Sequence, residues 1–224
     1  MAIAPPLFVN AALPIKRPVP RPQILWPSAI GYGDNGGSDL GRFPPVDAIK
    51  ARHSACPPES LSAFRDAARI AQDRILILDD YLFKPKKDQA LQSRYDKILD
   101  WFPDRLVAND VRILTNTHGD EPEHKSIQRK FAERAAAIND KSRNRAGILT
   151  IQIKFCLKRD FGYVHDRFAI VDDELWHFGA TVSGLHEELN AATRGWDSEE
   201  HDALRFFNDA WRGNNSSTRA RRHG

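Results

Sequence analysis

Beyond position 60 the chain alternates two kinds of apolar pattern. Leu61, Phe64, Ala67, Ala68 and Ala71 recur every three or four positions, which predicts a helix, and the following run "RILILDDYLF" is a short apolar stretch ending in acid, which predicts a buried strand. Leu91, Tyr95, Ile98, Leu99 and Phe102 repeat the helical spacing as far as Pro103, and "VRILTN" supplies the next strand. Ile127, Phe131, Ala135 and Ile138 mark a third helix. "ILTIQIKFC" and "YVHDRFAIVDDELWHFG" predict two or three further strands, and "SEEHDALRFFNDAW", from Ser198, a closing helix. Helices alternating with short apolar strands predict an α/β fold, a partly parallel mixed sheet flanked by helices, with the carboxyl ends of its strands as the place for chemistry.

The first part of the chain has a different character. Eleven of the 14 prolines precede Glu59, and Gly31, Gly33, Gly36, Gly37 and Gly41 crowd the same region, which excludes ordinary helix or central strand there. "PIKRPVPRPQILWP" reads as extended, polyproline-like chain. Either its apolar Leu7, Phe8, Ile24, Leu25 and Trp26 lay it along another surface, where it can dock into a protein complex, or it is a partly disordered lead-in. The expected organisation is a Pro/Gly-rich extended segment over 1–58, one α/β domain over 59–212 and a flexible basic tail over 213–224.

Composition narrows the classes. A chain of 224 residues with 41% hydrophobic content fills one core, and a formal net charge of +3 permits a phosphate-bearing partner without demanding one. Cys56 and Cys156 fall in unrelated contexts, so no disulfide framework is implied, and a reducing, cytoplasmic setting is expected. Prolines interrupt the early apolar stretches, so neither a signal peptide nor a membrane span is expected.

Charge then intrudes where a sheet favours Val and Ile, in "VHDRFAIVDDELWHFGATVSG", which starts at Val164. Strand alternation puts His165, Arg167, Ala169 and Val171 on one face, with Asp166, Phe168 and Ile170 on the other. An imidazole beside a guanidinium suits a face that looks onto phosphate: Arg forks its donors onto the oxygens, and His attacks phosphorus or transfers a proton. Asp172 is a candidate to hold an imidazole in one tautomer, that of a second subunit included. Gly179 and Ala180 keep the backbone accessible, and Thr181 and Ser183 offer hydroxyls.

The run His165-x-Arg167, four residues, Asp172, six residues, Gly179-Ala180 resembles the HKD signature of the phospholipase D superfamily, H-x-K-x4-D-x6-G-[SG] with an Asn a few residues on. Arg167 stands where that family has Lys, and Ser183 lies near the expected Asn. The helix and strand order over 61–182 is also similar to one half of that family's fold. The resemblance implies a half-unit that pairs as a homodimer, bringing two His165 imidazoles to a two-fold axis. It implies metal-independent hydrolysis of a phosphodiester, without any cofactor: one histidine forms a phosphohistidine, the other protonates the leaving group, and water releases the product. A nuclease is the leading expectation. The alternative is an inactive phospholipase-D-like module that binds nucleic acid, anionic lipid headgroups or a protein partner, with nucleic acid placed ahead of lipid.

Other residues are candidates for the same cleft. Asp79, Asp80 and Tyr81 end the first strand, and Asn116, Thr117 and His118 end the second, although turn formation or loop polarity explains each group as well. Lys154, Lys158 and Arg159 form either an approach for a phosphate backbone or a solvated strand edge. His177 reads as a packed or hydrogen-bonded histidine. Arg194, Gly195 and Trp196 put a cation and a flat ring at a hinge, either to stack on a base or to anchor a loop. His118, His124, His186 and His201 lack metal-ligand spacing. Arg219, Arg221 and Arg222 either add nonspecific affinity for acidic surfaces or are simply solvated.

Overall fold

The computed structural model describes residues 17–28, 31–32, 45–47, 50, 61–84, 91–116, 119–142, 147–184 and 190–213. In chain order its elements are β1 (Gln23–Leu25), β2 (Pro27–Ser28), β3 (Gly31–Tyr32), α1 (Ser62–Arg69), β4 (Arg74–Asp79), α2 (Leu91–Leu99) and β5 (Asp110–Thr115). They continue with α3 (Glu121–Lys141), β6 (Thr150–Lys154), α4 (Leu157–Phe161), β7 (Phe168–Val171), β8 (Glu174–Phe178), a 3₁₀ turn (Val182–Gly184), β9 (Ala192–Asp197) and α5 (Ala203–Arg212). Leu7, Phe8, Gly33, Gly36, Gly37, Gly41, Cys56, Thr117, His118, His186 and the tail 214–224 lie outside the described residues.

A seven-stranded mixed sheet, in the order β1-β9-β8-β7-β4-β5-β6, forms the frame, and β2 pairs with β3 apart from it. β4, β5 and β6 run parallel, whereas β7, β8, β9 and β1 join antiparallel on the other side of β4. The pleat sorts the apolar residues between two cores. Ile75, Ile77, Val111, Ile113, Ala169, Val171, Trp176 and Phe178 face a large core with Phe64 and Ala68 of α1, Ile98 of α2 and Ile127, Phe131 and Ile138 of α3. Leu76, Leu78, Leu114, Phe168 and Ile170 face a smaller core closed by Leu157 of α4 and Phe207 and Ala210 of α5. Burial on both faces explains why these strands read as continuous apolar runs.

Local chemistry fixes the elements. The Asp120 carboxylate accepts from the Glu123 amide at 3.0 Å, Pro122 occupies the first turn and Lys141 the last, so α3 is capped and matched to its dipole at both ends. The same helix covers the open edge of β6: the Gln128 amide donates to the Ile153 carbonyl at 3.0 Å, and Asn139 exchanges two bonds with the Leu149 backbone. The closing helix begins at Ala203, later than the expected Ser198. The Asp197 carboxylate takes the Glu199 and Glu200 amides into a turn, and Asp202, at φ 55°, interrupts the helical geometry before α5 starts.

Two elements escape the apolar pattern. The "ATRGWD" stretch, expected as a hinge, is strand β9, and part of the Pro-rich segment adds β1 to its outer side in place of polyproline-like chain, with Leu25 buried. Gly195, at φ 96°, is required at this contact, because a Cβ there would meet the Arg21 carbonyl oxygen at 2.5 Å.

Asp172 is the corner of the β7–β8 hairpin. Only Asp172 and Asp173 separate the paired Val171 and Glu174. Asp172 adopts φ 56°, and its carboxylate accepts from the Gln72, Asp73 and Arg74 amides at 2.9, 2.8 and 3.3 Å. The carboxylate thereby ties the hairpin to the start of β4. Asp172→Ala removes those bonds and leaves in the left-handed region a residue with no polar side chain to compensate, so it should destabilise the fold by about 2–4 kcal/mol in urea denaturation. Asp172→Asn, which tolerates that conformation, should cost less.

Candidate active site

The antiparallel register of β7 on β4 aligns Phe168 with Leu78, so Arg167 falls opposite the carboxyl end of β4 and Asp79. β4 and β5 end together there, Asp79 opposite Thr115. Asp79 is fully buried, and its two oxygens accept from the Tyr81 amide at 2.8 Å and the Val182 amide at 2.7 Å. The Nε of Arg167 lies 3.1 Å from an Asp80 oxygen and 3.7 Å from an Asp79 oxygen, with the guanidinium over the Tyr81 ring at 4.9 Å. Nη1 and Nη2 of Arg167 make no hydrogen bond among the described residues. The tether therefore holds Arg167 by its Nε edge, with a fifth of the side chain exposed (20%). His165, two positions earlier, is exposed on the chain leading into β7, and its imidazole has no hydrogen bond or ion pair among the described residues.

Burial pushes the Asp79 carboxyl up from 3.8 to about 6, against the lowering effect of the Tyr81 and Val182 amides and of Arg167; Asp80 adds to the rise. Arg94, buried on α2, donates from Nε to the Leu82 carbonyl at 2.9 Å; burial lowers its pKa and Asp79 opposes that shift. Sequence reasoning passed over Arg94. The signal was a cation three positions after Leu91 and four before Ile98, on the apolar stripe of the helix.

Arg167 and Asp80 meet in the structure, His165 lies two positions before Arg167, and Asp172 and Arg194 lie away from them. Asp172 lies five strand residues from Arg167, about 17 Å away at the opposite end of β7, where its carboxylate is committed to the β4 amides. It therefore does not orient the His165 imidazole of the same chain. Arg194 is directed toward that far end too: it makes a two-point ion pair with Glu174 at 2.6 and 2.8 Å and covers the Trp176 ring at 4.1 Å. Thr181 and Ser183 are buried rather than open to a groove. Ser183, at φ 64°, turns its carbonyl to the Leu61 amide, and its hydroxyl, like that of Thr115, has no partner among the described residues. Gly179 is exposed at the end of β8, its amide bonded to the Ala191 carbonyl at 3.0 Å.

Asn116 follows β5 at the same carboxyl edge, but its side-chain oxygen accepts from the Lys158 amide at 2.8 Å, which docks α4. Lys154 ends β6 and donates to the Trp211 carbonyl at 2.6 Å, pinning the carboxyl end of α5. His177 hydrogen-bonds to Asp166 at 2.6 Å. Among the described residues no group of His, Cys, Asp and Glu side chains is arranged to hold a metal ion, and no helix is long and apolar enough to cross a membrane.

No family model matches the chain, and no curated protein matches it in sequence. Solved structures resemble it at low identity. A phosphatidylserine synthase from Haemophilus influenzae Rd KW20 is 16% identical at a TM-score of 0.42, over 73% of this chain and 40% of the other. NucT from Helicobacter pylori is 10% identical at a TM-score of 0.42, over 68% of this chain and 87% of the other. TrmBL2, an archaeal chromatin protein described with a novel mode of DNA binding, is 16% identical at a TM-score of 0.34, over 67% and 48%. The chain thus spans less than half the length of the synthase and of TrmBL2.

The raised Asp79 pKa carries a pH signature. The folded state binds the Asp79 proton more tightly than the unfolded chain, so this group's contribution to stability falls as pH rises from about 4 to about 6 and is flat above that. Asp79→Asn removes the titration. It also loses one acceptor for the two amides, which should destabilise by about 1–3 kcal/mol. Relative to the variant, the wild type should be more stable at about pH 4.5 than at about pH 7.5 by about 2 kcal/mol, read from urea denaturation at both pH values.

Proposed function

We propose that the chain is a phospholipase-D-like phosphodiesterase half-unit that cleaves nucleic acid as a homodimer, with His165 as nucleophile and Arg167 as phosphate clamp. The observation that carries this reading is the exposed imidazole of His165 two positions from a guanidinium tethered through Nε, neither the imidazole nor Nη1 and Nη2 being hydrogen-bonded among the described residues. The signature spacing from His165 to Gly179-Ala180 supports it, as does the position of Arg167 at the carboxyl ends of the parallel strands.

The chemistry follows from those groups. Arg167 holds two non-bridging oxygens of the diester through Nη1 and Nη2 while Asp80 keeps Nε in place. A nitrogen of His165 forms a bond to phosphorus as the bond to the leaving oxygen breaks, and His165 of the second copy gives that oxygen a proton. Water, deprotonated by the second imidazole, then displaces the first from phosphorus. Arg167 contributes charge and geometry and takes no part in the proton transfers.

The second reading is a module that binds phosphate groups without turnover. The buried hydroxyl of Ser183 favours it, because the donor expected near that position does not reach an open cleft.

The phosphodiesterase should hydrolyse single-stranded DNA or bis(p-nitrophenyl) phosphate in the presence of chelator. His165→Ala should lower turnover by at least about 10³-fold. Undiminished turnover by His165→Ala refutes the nucleophile. No turnover by the wild type, with salt-sensitive retention on nucleic acid that weakens in Arg167→Ala, selects the binding module.

A further inference from the structure

A cavity of about 760 Å³ opens at the carboxyl end of β6, between the start of α3, α4 and the end of α5. Its size falls within the range of about 300–1,000 Å³ usual for ligand sites. Lys125, Lys154, Arg159 and Arg212 line it against two carboxylates, Glu121 and Asp160. Aromatic surface is interleaved with the charge. The His124 and Phe155 rings stack at 4.3 Å and 18°, and Trp211, stacked on Phe207, completes the lining with Lys154 over its ring at 4.6 Å.

The position relates this cavity to the candidate active site. β4, β5 and β6 are parallel neighbours, so the end of β6 lies two strand spacings, about 10 Å, from the end of β4 where Arg167 is tethered. Both features belong to one edge of one sheet. A polyanion crossing that edge would meet the Arg167 fork and then the cations of the cavity.

We infer that the cavity is a nucleotide subsite for single-stranded nucleic acid, in which the rings take an unstacked base and Lys125 and Arg159 take the adjoining phosphates. This deepens the proposed function and rests on it only for the phosphate held at Arg167. Flat rings interleaved with cations suit a base and its phosphate together, and bases in a duplex stay stacked on one another, out of reach of such rings. Lys125 and Arg159 side chains are 73% and 76% exposed, Lys125 paired with the exposed Glu121 and Arg159 with the half-buried Asp160, so the two cations themselves lose little hydration in meeting phosphate.

The test is fluorescence anisotropy of the full chain with a short fluorescein-labelled oligothymidylate, its abasic analogue and a duplex of equal length. Lys125→Ala/Arg159→Ala should bind the oligothymidylate about tenfold or more weakly, with the slope of log affinity against log salt reduced by about 1.4, which is about 0.7 for each phosphate no longer neutralised. The abasic analogue should bind wild type about tenfold less tightly, and the duplex more weakly still. Unchanged affinity and slope in the double variant, or equal affinity for the three probes, overturns the subsite. Turnover is read separately. Absence of turnover with binding that depends on Lys125 and Arg159 refutes the phosphodiesterase and keeps the subsite, whereas binding that depends on Arg167 alone keeps the clamp and overturns the subsite.

Discussion

The attachment of Arg167 to the carboxyl end of β4 is the interaction on which the rest of the site depends. A carboxylate as buried as that of Asp79 is unstable unless compensated, and the Tyr81 and Val182 amides donate to it while the Arg167 guanidinium sets a positive charge 3.7 Å away. Those partners belong to three different segments. The turn after β4, the 3₁₀ turn after β8 and the lead-in to β7 are therefore drawn to one point by the need to satisfy a single side chain. Asp80 takes the Nε of Arg167 outside this buried centre, and the guanidinium comes to rest over Tyr81.

The sheet supplies the frame for that meeting. β7 runs against β4, so an apolar hairpin can present His165 and Arg167 at the same edge where the parallel strands end. The opposite edge of that hairpin performs a structural task. Asp172 closes the turn and fastens it to the amides at the start of β4, and Glu174 holds Arg194 beside it. One strand thus carries the Arg167 tether at one end and the Asp172 anchor at the other, and the charged residues that flank it divide according to which end they occupy.

Much of the fold was legible in the sequence. The stripe of Ile127, Phe131, Ala135 and Ile138 is the buried face of α3, and "RILIL" and "VRIL" are adjacent parallel strands, because burial against a flat sheet forces these periods onto any chain that adopts it. β9 was less legible, since "ATRGWD" has a strand's hydrogen bonds without an apolar run, and its pairing with β1 depends on a partner about 170 positions away. The start of α5 was blurred because Asp197 and Asp202 form local turns that compete with helix.

The sequence by itself determined the two apolar periods, the placement of a histidine and an arginine at the head of a strand, and the spacing to Asp172 and Gly179. Those properties are local and follow from the pleat and from chain connectivity. Only the tertiary structure decided which charges remain available. Arg167, Arg194, Lys154 and Asn116 are all polar groups near strand ends, yet Glu174 occupies Arg194, the Trp211 carbonyl occupies Lys154 and the Lys158 amide occupies Asn116. Among the described residues the Nη atoms of Arg167 keep no hydrogen bond, because Asp79 and Asp80 lie against its Nε. A buried or half-buried polar group goes to whichever complementary group the fold brings within reach, and that choice is made between residues distant in sequence.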